Sequence, residues 1–461
     1  MSNTPVSRLL LGSGANGIGL IARMAEQLLM VPILLTAWSV PLYGEWLLIS
    51  AIPVYLSLSD MGFVSAGSNE LTRRSQKGVT EGVRSFYNDY VSTFASWSSS
   101  LLLFFTALVF FTPLDTWLGL EILARQEAQI VFAFLIANVL LSKNALPIHA
   151  GLRACRKAHV GFFLRAMSSI TRIFLCALLV LSFDVGPIGV AVTTAAVRLV
   201  EICVMAIVSH RNGLTPRWRL FRKSTTKMLP YLTIGLEFML LPLSEAILLQ
   251  GMVIMVGTTL GVVLVAVFST HRTLTRMALQ VVQMGIAPLQ AEVGLLQGEA
   301  DRPILIRLVK RVGRITFWLS VLIGIALAAL GHWIFATWTR GEIAFMPILF
   351  FPLLLSTVLE GIWRVPASVR FGTNKHRPLV WSYLTLSLVG IFVAYILAQN
   401  WGLEGVGYAL VFIDGTMCVI TLYFNRLLLG VGITTYLRSL LVPPVDDIRY
   451  VAEMLKNRRT K

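Results

Sequence analysis

Long apolar runs follow one another along almost the whole chain and are separated by short polar joints. Each run is roughly 20 to 28 residues long, which is the length that crosses the hydrocarbon core of a bilayer as an α-helix. Of the 461 residues only 13% are charged, and 56% are hydrophobic. Backbone in lipid must satisfy its own hydrogen bonds, which excludes an open sheet. The sequence therefore predicts an all-α polytopic membrane protein.

A glycine-rich stretch near the start, GSGANG from Gly12, matches the G-x-G-x-x-G pattern of dinucleotide-binding loops. That pattern is informative only after a strand and within a βαβ unit. Here eleven residues precede Gly12, and they lead into a long apolar stretch. We interpret the glycines as small residues that let a membrane helix pack closely. No cofactor is expected.

Twelve membrane-spanning helices are predicted. Lys and Arg concentrate in the joints after the second, fourth, sixth, eighth and tenth spans, whereas Arg340 is the clear outer-loop exception. Because such residues mark the cytoplasmic side, both termini are expected there. The net charge of +16 then reflects topology, and no nucleic-acid partner is expected. The predicted spans are 9–37, 42–66, 86–112, 124–151, 160–182, 187–209, 229–255, 258–286, 315–337, 342–370, 379–398 and 403–427.

An internal duplication is indicated by landmarks that recur about 217 positions apart, a spacing read directly from the sequence. It predicts two six-helix lobes, 1–222 and 223–430, related by a parallel pseudo-two-fold repeat with a substrate site between them. Residues 431–461 form a basic tail with an apolar stripe at helical spacing, which indicates an interfacial helix, with a solvated tail as the alternative. The landmarks are Tyr43-Gly44 with Leu260-Gly261, Arg153 with Arg370, and Gly186 with Gly402; the stripe is Ile448, Val451, Ala452 and Leu455.

Ionisable side chains within the predicted spans are the candidate functional residues. A charge near the centre of a helix in lipid costs on the order of a few kcal/mol or more, and is a functional hypothesis by default. Lys143 and Arg364 lie near enough to the inner surface to snorkel. The basic candidates for substrate binding are Arg23, Lys143, Arg172, Arg198, Arg272 and Arg276. The acidic candidates for ion coupling or charge balance are Glu26, Asp60, Glu237, Glu245, Glu360 and Asp414.

Two pairs of these candidates have a purely structural alternative. Arg23 with Glu26, and Arg198 with Glu201, are spaced i,i+3 and could neutralise each other on one helix. In that alternative the pairs only hold helices together.

Arg272 and Arg276 lie one turn apart near the middle of the eighth span, which contains no acid. Like charges at i,i+4 repel. A water-filled cavity, an anionic ligand or acids from a neighbouring helix must offset them. Glu237 or Glu245 of the seventh span could supply the acid.

Three stretches carry a resemblance to a known family: VPLYGEWLLISAIPVYLSLSDMGF from Val40, LGVVLVAVFSTHRTLTRMALQVVQMGIAPL from Leu260, and GTNKHRP from Gly372. They resemble Wzx-like O-antigen and exopolysaccharide flippases, the polysaccharide transporter branch of the multidrug/oligosaccharidyl-lipid/polysaccharide exporter superfamily. The resemblance spans nearly the whole chain.

The resemblance implies two lobes that form a V, as in MATE transporters, in the bacterial inner membrane. The implied cargo is an oligosaccharide on undecaprenyl pyrophosphate, which moves from the cytoplasmic to the periplasmic leaflet during lipopolysaccharide or exopolysaccharide synthesis. The polysaccharide polymerase machinery is a further implied partner. Positions that correspond to pyrophosphate-attracting cations are Arg23, Arg272 and Arg276, and Glu26 stands beside the first of them.

Two other functions are weighed. A cation-coupled multidrug antiporter of the same superfamily is expected to present unpaired acids, and Arg272 with Arg276 argues against it. A membrane glycan polymerase or ligase generally carries a substantial outer loop, whereas the outer loops here are short. The six histidines show no metal-ligand spacing, and no G-x-S-x-G elbow or phosphate loop is present. We therefore predict a transporter, not an enzyme, and no metal.

Overall fold

The computed structural model describes residues 5–60, 62–220, 229–283, 286, 289–290, 293, 302–373 and 375–447. In these ranges the secondary structure is helical, with short 3₁₀ turns at Leu56–Leu58 and Ser75–Lys77. The helices are α1 (Pro5–Ala37), α2 (Val40–Tyr55), α3 (Phe63–Arg74), α4 (Glu81–Phe111), α5 (Leu114–Leu118), α6 (Arg125–Ala154), α7 (Ala158–Phe183), α8 (Pro187–Arg211), α9 (Leu229–Leu260), α10 (Val262–Gln283), α11 (Arg302–Trp338), α12 (Pro347–Gly372), α13 (Arg377–Leu429) and α14 (Ile433–Leu441).

Nine helical segments within the described ranges are long and apolar enough to cross a membrane. The longest, α13, holds the predicted eleventh and twelfth spans in 53 residues and bends where Gly402 leaves helical geometry (φ 56°, ψ −139°). The glycine-rich stretch from Gly12 lies inside α1. The predicted class, an all-α multi-pass membrane protein, is confirmed.

Two predicted spans differ from the structure more than the others do. The span predicted at 42–66 is interrupted: α2 ends at Tyr55 after Pro53, and α3 begins after Gly62, whose φ of 73° suits glycine. The ninth span begins at Arg302 rather than 315, because apolar residues such as Leu305 and Val309 already follow helical spacing there and are buried.

The chain divides into two compact units, Met1–Ala266 and Val267–Lys461. In the first unit α1 packs on α7, and α6 packs on α4 and α8. An aromatic core of this unit includes Phe86, Tyr87 and Tyr90, and the Tyr90 hydroxyl donates a hydrogen bond to the Val64 carbonyl at 2.7 Å. The two predicted six-helix lobes, 1–222 and 223–430, stay a prediction.

The glycine landmark Gly44 marks a close approach inside the first unit. A Cβ atom on Gly44 of α2 would lie 2.0 Å from the carbonyl oxygen of Val262. Gly261, which the predicted repeat aligns with Gly44, has a φ of 96°, which L side chains rarely adopt. Glycine is therefore required at both positions, at one for space and at the other for backbone conformation.

In the second unit α12 packs on α11 and α13, and the short helix α14 lies along α11. Tyr436 and Leu440 of α14 are buried, while Leu437 and Leu441 are exposed. An amphipathic helix therefore lies in the predicted tail, but it covers 433–441. The predicted stripe of Ile448, Val451, Ala452 and Leu455 lies outside the described residues.

Candidate functional site

In the first unit, ionisable side chains from α1, α7 and α8 lie close together. The first-unit cluster is defined as Arg23, Glu26, Arg165, Arg172, Arg198 and Glu201. It contains four arginines and two glutamates. Four of the predicted candidates therefore meet in one place, together with Glu201 from the predicted pair and with Arg165, which was not among the predicted residues.

Glu26 of α1 pairs with Arg172 of α7. The Arg172 Nε atom lies 2.6 Å from Glu26 Oε1, and its NH2 group donates a hydrogen bond to Oε2 at 2.8 Å. Arg172 is buried, and Ser169 lies on the same turn of α7, 3.4 Å from the guanidinium. Glu26 therefore pairs across two helices, and the alternative of an i,i+3 pair with Arg23 is wrong. Arg23 is exposed, whereas Glu26 is half-buried.

Arg198 and Glu201 form the i,i+3 pair on α8 that was the structural alternative for these two residues. Arg198 NH1 lies 2.5 Å from Glu201 Oε2, and the glutamate side chain is 1% exposed. The Nε atom of Arg198 is buried and has no hydrogen-bond acceptor among the described residues. The pair therefore leaves one guanidinium donor for another oxygen.

Arg165 was missed because it lies early in α7, close to the predicted end of the span. It is seven residues before Arg172 and therefore on the same helix face. Its charge interacts with those of Arg23, Arg198 and Glu201. The sequence signal that could have identified Arg165 is its i,i+7 spacing from Arg172.

Lys143 and Asp60 form a separate contact in the first unit. Lys143 Nζ of α6 lies 3.5 Å from Asp60 Oδ1, in the turn before α3. Both side chains are mostly buried. The long side chain of Lys143, predicted to snorkel, ends on a carboxylate.

In the second unit, α10, α12 and α13 bring together the second-unit cluster, which we define as Arg272, Arg276, Glu360, Arg364 and Asp414. Glu360 of α12 lies between two arginines. Its Oε2 accepts a hydrogen bond from Arg276 at 3.0 Å, and its Oε1 lies 2.6 Å from Arg364 NH2. Arg364, predicted to snorkel, is thus held by a buried acid.

The acid that offsets Arg276 is therefore Glu360, which corrects the prediction of Glu237 or Glu245. Residue 360 lies 84 positions away, and the sequence gives no local signal for that contact. Glu245 is half-buried on α9. Glu237 also belongs to α9, but its side chain is not among those that the structure describes.

Asp414 of α13 reaches the same face of α12 that carries Glu360. Its Oδ2 accepts a hydrogen bond from the Ser356 hydroxyl at 2.5 Å, and its Oδ1 accepts one from the Trp363 indole at 3.1 Å. Ser356, Glu360 and Trp363 are spaced four and three residues apart, which places them on one helix face. Ser356 and Trp363 were not predicted, since neither is ionisable.

Arg272 lies one turn before Arg276 on α10, and both are half-buried. The Arg272 guanidinium carbon lies 4.9 Å from the centre of the Phe268 ring. A cation over an aromatic face is stabilised by the ring quadrupole. This contact offsets part of the repulsion between the two cations.

A further buried acid, Glu45, has a structural role. Its carboxylate accepts backbone hydrogen bonds from Glu121, Ile122 and Leu123 at 2.5, 2.7 and 2.8 Å. The side chain thereby fixes the segment between α5 and α6. Within the described ranges no group of three or more His, Cys, Asp and Glu side chains could hold a metal ion.

The fold is that of the MATE transporters. A structure described as an inward-facing multidrug resistance MATE family transporter of the MOP superfamily matches with a TM-score of 0.67 at 17% identity, covering 91% of this chain and 94% of that chain.

The lipid II flippase MurJ, in an inward closed conformation, matches with a TM-score of 0.69 at 14% identity, covering 94% of this chain and 90% of that one. A MOP superfamily transporter from Pyrococcus furiosus, described as having a reversed binding-pocket polarity, matches with a TM-score of 0.60 at 16% identity, covering 93% and 99%. No protein-family model and no curated protein matches the sequence. At these identities the likeness shows the fold alone.

Proposed function

We propose that the chain is a flippase that moves a polyprenyl-pyrophosphate-linked oligosaccharide from the cytoplasmic to the periplasmic leaflet of the bacterial inner membrane. The observation that carries this proposal is the excess of arginine in the first-unit cluster, where four guanidinium groups face two carboxylates. Arg172 and Arg198 are paired with the two carboxylates, so the charges of Arg23 and Arg165 are in excess within a membrane-spanning bundle and favour an anion there. A pyrophosphate supplies one.

Arginine suits this cargo because its planar fork binds phosphate oxygens in pairs and stays charged. Arg23 is exposed, and Arg198 Nε lacks an acceptor among the described residues. The exposed guanidinium of Arg23 can take phosphate oxygens while the Arg172–Glu26 contact holds α1 on α7. The second-unit cluster offers a similar arrangement, since Glu360 is shared between Arg276 and Arg364.

The fold supports the proposal in a coarser way. The MATE transporters and the lipid II flippase MurJ have this fold, which favours a transporter over a polymerase or ligase. A lipid-linked substrate is described for MurJ, and we extend that class of cargo to this chain as part of the proposal.

A cation-coupled multidrug antiporter is the second candidate. Asp414 favours it, because this carboxylate is 3% exposed and its described hydrogen-bond donors are the neutral groups of Ser356 and Trp363. A buried carboxylate of this kind can bind a cation, or it can have a purely structural role. The arginine excess in the first-unit cluster favours the anionic cargo.

The test replaces surplus cations and leaves the ion pairs intact. Arg165→Gln and Arg23→Gln are each expected to reduce surface glycan strongly in a strain that depends on this chain, with the protein still in the membrane. Arg125→Gln is the matched control, since Arg125 is exposed at the start of α6. Wild-type glycan in both variants, together with export of a cationic dye that Asp414→Asn blocks, would overturn the flippase in favour of the antiporter.

A further inference from the structure

The first unit contains a polar cavity that shares no residue with the first-unit cluster. Its volume is about 730 Å³, and it lies between the first turns of α4 and the segment that follows α8. This volume is within the usual range of small-molecule sites, about 300–1,000 Å³. The positive joints on this side predict that it opens to the cytoplasm. Its lining includes Glu81, Arg84, Asn88, Asp89, Arg217 and Arg219.

The wall of the cavity formed by residues 213–219 is fixed by buried groups. The Ser209 hydroxyl donates to the carbonyl of Leu214 at 2.7 Å, and the Leu214 side chain is fully buried. The Ser92 hydroxyl donates to the Arg217 carbonyl at 2.6 Å and accepts from the Arg219 N–H at 3.2 Å. These contacts hold the backbone of the arginines against α4. The cavity is therefore preformed, which lowers the entropy cost of binding.

Positive charge is in excess at the cavity. Arg84, Arg217 and Arg219 line it together with two carboxylates, those of Glu81 and Asp89. In the part of the chain that the structure describes, none of the three arginines is in an ion pair. Their guanidinium groups are exposed and can turn toward a ligand. The arrangement favours an anion with planar or tetrahedral oxygens.

Amide and carboxylate groups also line the cavity. They belong to Asn88 and Asp89 of α4. Side chains of these two kinds form hydrogen bonds with the hydroxyl groups of a ligand. A simple phosphate ion has no hydroxyl array for these groups and would fill little of the volume.

We infer that this cavity binds a phosphorylated sugar, with the phosphate on Arg84, Arg217 and Arg219 and the sugar hydroxyls on Asn88 and Asp89. The anion site is argued from the cavity alone, and the choice of a sugar rests also on the proposed function. The same chemistry occurs in a free sugar phosphate and in the head group of a lipid-linked glycan. If the ligand is the head group of a lipid-linked glycan, the cavity is a cytoplasmic docking site that the head group occupies before it crosses the membrane.

The experiment measures binding of glucose 1-phosphate, inorganic phosphate and glucose to the purified full chain in lipid nanodiscs by isothermal titration calorimetry. Glucose 1-phosphate is expected to bind more tightly than the other two. Arg217→Gln is expected to weaken the binding of glucose 1-phosphate by about tenfold to a hundredfold, which is the range for loss of a hydrogen bond to a charged group. Arg211→Gln is the matched control, since Arg211 is exposed at the end of α8 outside the cavity.

Asn88→Ala tests the sugar contact separately from the phosphate contact. It should weaken the binding of glucose 1-phosphate and leave the binding of inorganic phosphate unchanged. Equal affinity of wild type and Arg217→Gln, or equal affinity for the sugar phosphate and phosphate, would overturn the inference. Competition by a polyprenyl-phosphate-linked sugar in the nanodisc supports the head group as ligand. Undiminished binding of glucose 1-phosphate in its presence supports the free sugar phosphate.

The failure of this inference is distinguishable from failure of the proposed function. Arg165→Gln, outside the cavity, should keep glucose 1-phosphate binding while surface glycan falls. A chain that binds the sugar phosphate and exports only cationic dyes refutes the flippase and retains the cavity. A chain that supports surface glycan but binds no sugar phosphate refutes the cavity alone.

Discussion

The contact between Arg172 and Glu26 joins two helices through one buried ion pair. We expect Arg172→Ala to lower stability by about 3–5 kcal/mol, because it leaves a buried carboxylate without its partner. The double variant Arg172→Met/Glu26→Leu should lose less stability, since it removes both charges. Thermal unfolding in detergent checks both. A double variant that is less stable than Arg172→Ala would contradict this account.

Glu70 of α3 lies outside the membrane spans and accepts hydrogen bonds from Arg73 and Arg74. The Arg73 hydrogen bond is the main cause that holds the pKa of Glu70 at about 2, below its usual 4.5. A folded-state pKa that is lowered stabilises the fold above the unfolded pKa. That contribution is lost as the pH falls from about 4.5 toward 2.

We therefore expect wild type to lose more stability than Glu70→Gln between pH 5 and about 3. The measurement is the melting temperature of each protein across that range. Above pH 5 the difference between the two proteins should be constant. A pH dependence that is identical in both proteins would show that Glu70 does not contribute.

At the scale of helices, the approach of α2 to the start of α10 depends on Gly44. The atom nearest to a Cβ there is the Val262 carbonyl oxygen, which belongs to the backbone and cannot swing aside. Gly44→Ala is expected to lower stability by about 1–3 kcal/mol, as overpacking does. Gly415→Ala is the control, since nothing lies near that helical glycine and alanine should stabilise the helix by about 1 kcal/mol. Melting temperatures of the two variants should move in opposite directions.

Helix α14 is held on α11 by Asp447, which lies 2.8 Å from Arg311 and 3.1 Å from Arg314. Arg314 Nε also donates to the Ser439 carbonyl at 3.0 Å. Asp447→Asn is expected to release α14, seen as faster hydrogen exchange over residues 433–441. Asp446→Asn is the matched control, since its side chain is exposed. Equal protection of α14 in both variants would assign its docking to Tyr436 and Leu440 instead.

For the whole molecule, apolar length predicted the class and the order of the spans, because crossing a bilayer fixes helix length. It did not predict the start of α11, where an amphipathic segment continues an apolar helix. Arg198 with Glu201 was predictable from spacing within one helix. Two other ion pairs join residues far apart in the sequence, so only tertiary packing determines which side chains meet. Their partners are 146 positions apart for Arg172 with Glu26 and 84 positions apart for Arg276 with Glu360.

The proposed transport of an anionic cargo should depend on voltage. Each negative charge moved fully outward across an inside-negative membrane gains about 2.3 kcal/mol per 100 mV. In proteoliposomes we expect the transfer of a pyrophosphate-linked glycan to accelerate when a potassium gradient sets that potential. The reverse potential should slow it. A rate that is independent of either potential would mean that the cargo crosses with its charge fully compensated.

The hydrogen bond between the Trp363 indole and Asp414 also gives the protein an internal optical reporter. The emission of an indole shifts with the electric field around its ring, and here a buried carboxylate supplies that field at 3.1 Å. A cation or proton that arrives at Asp414 should therefore change the spectrum without any attached dye. Replacing the other ten tryptophans by phenylalanine would leave this one fluorophore to report on the second unit when candidate substrates or ions are added.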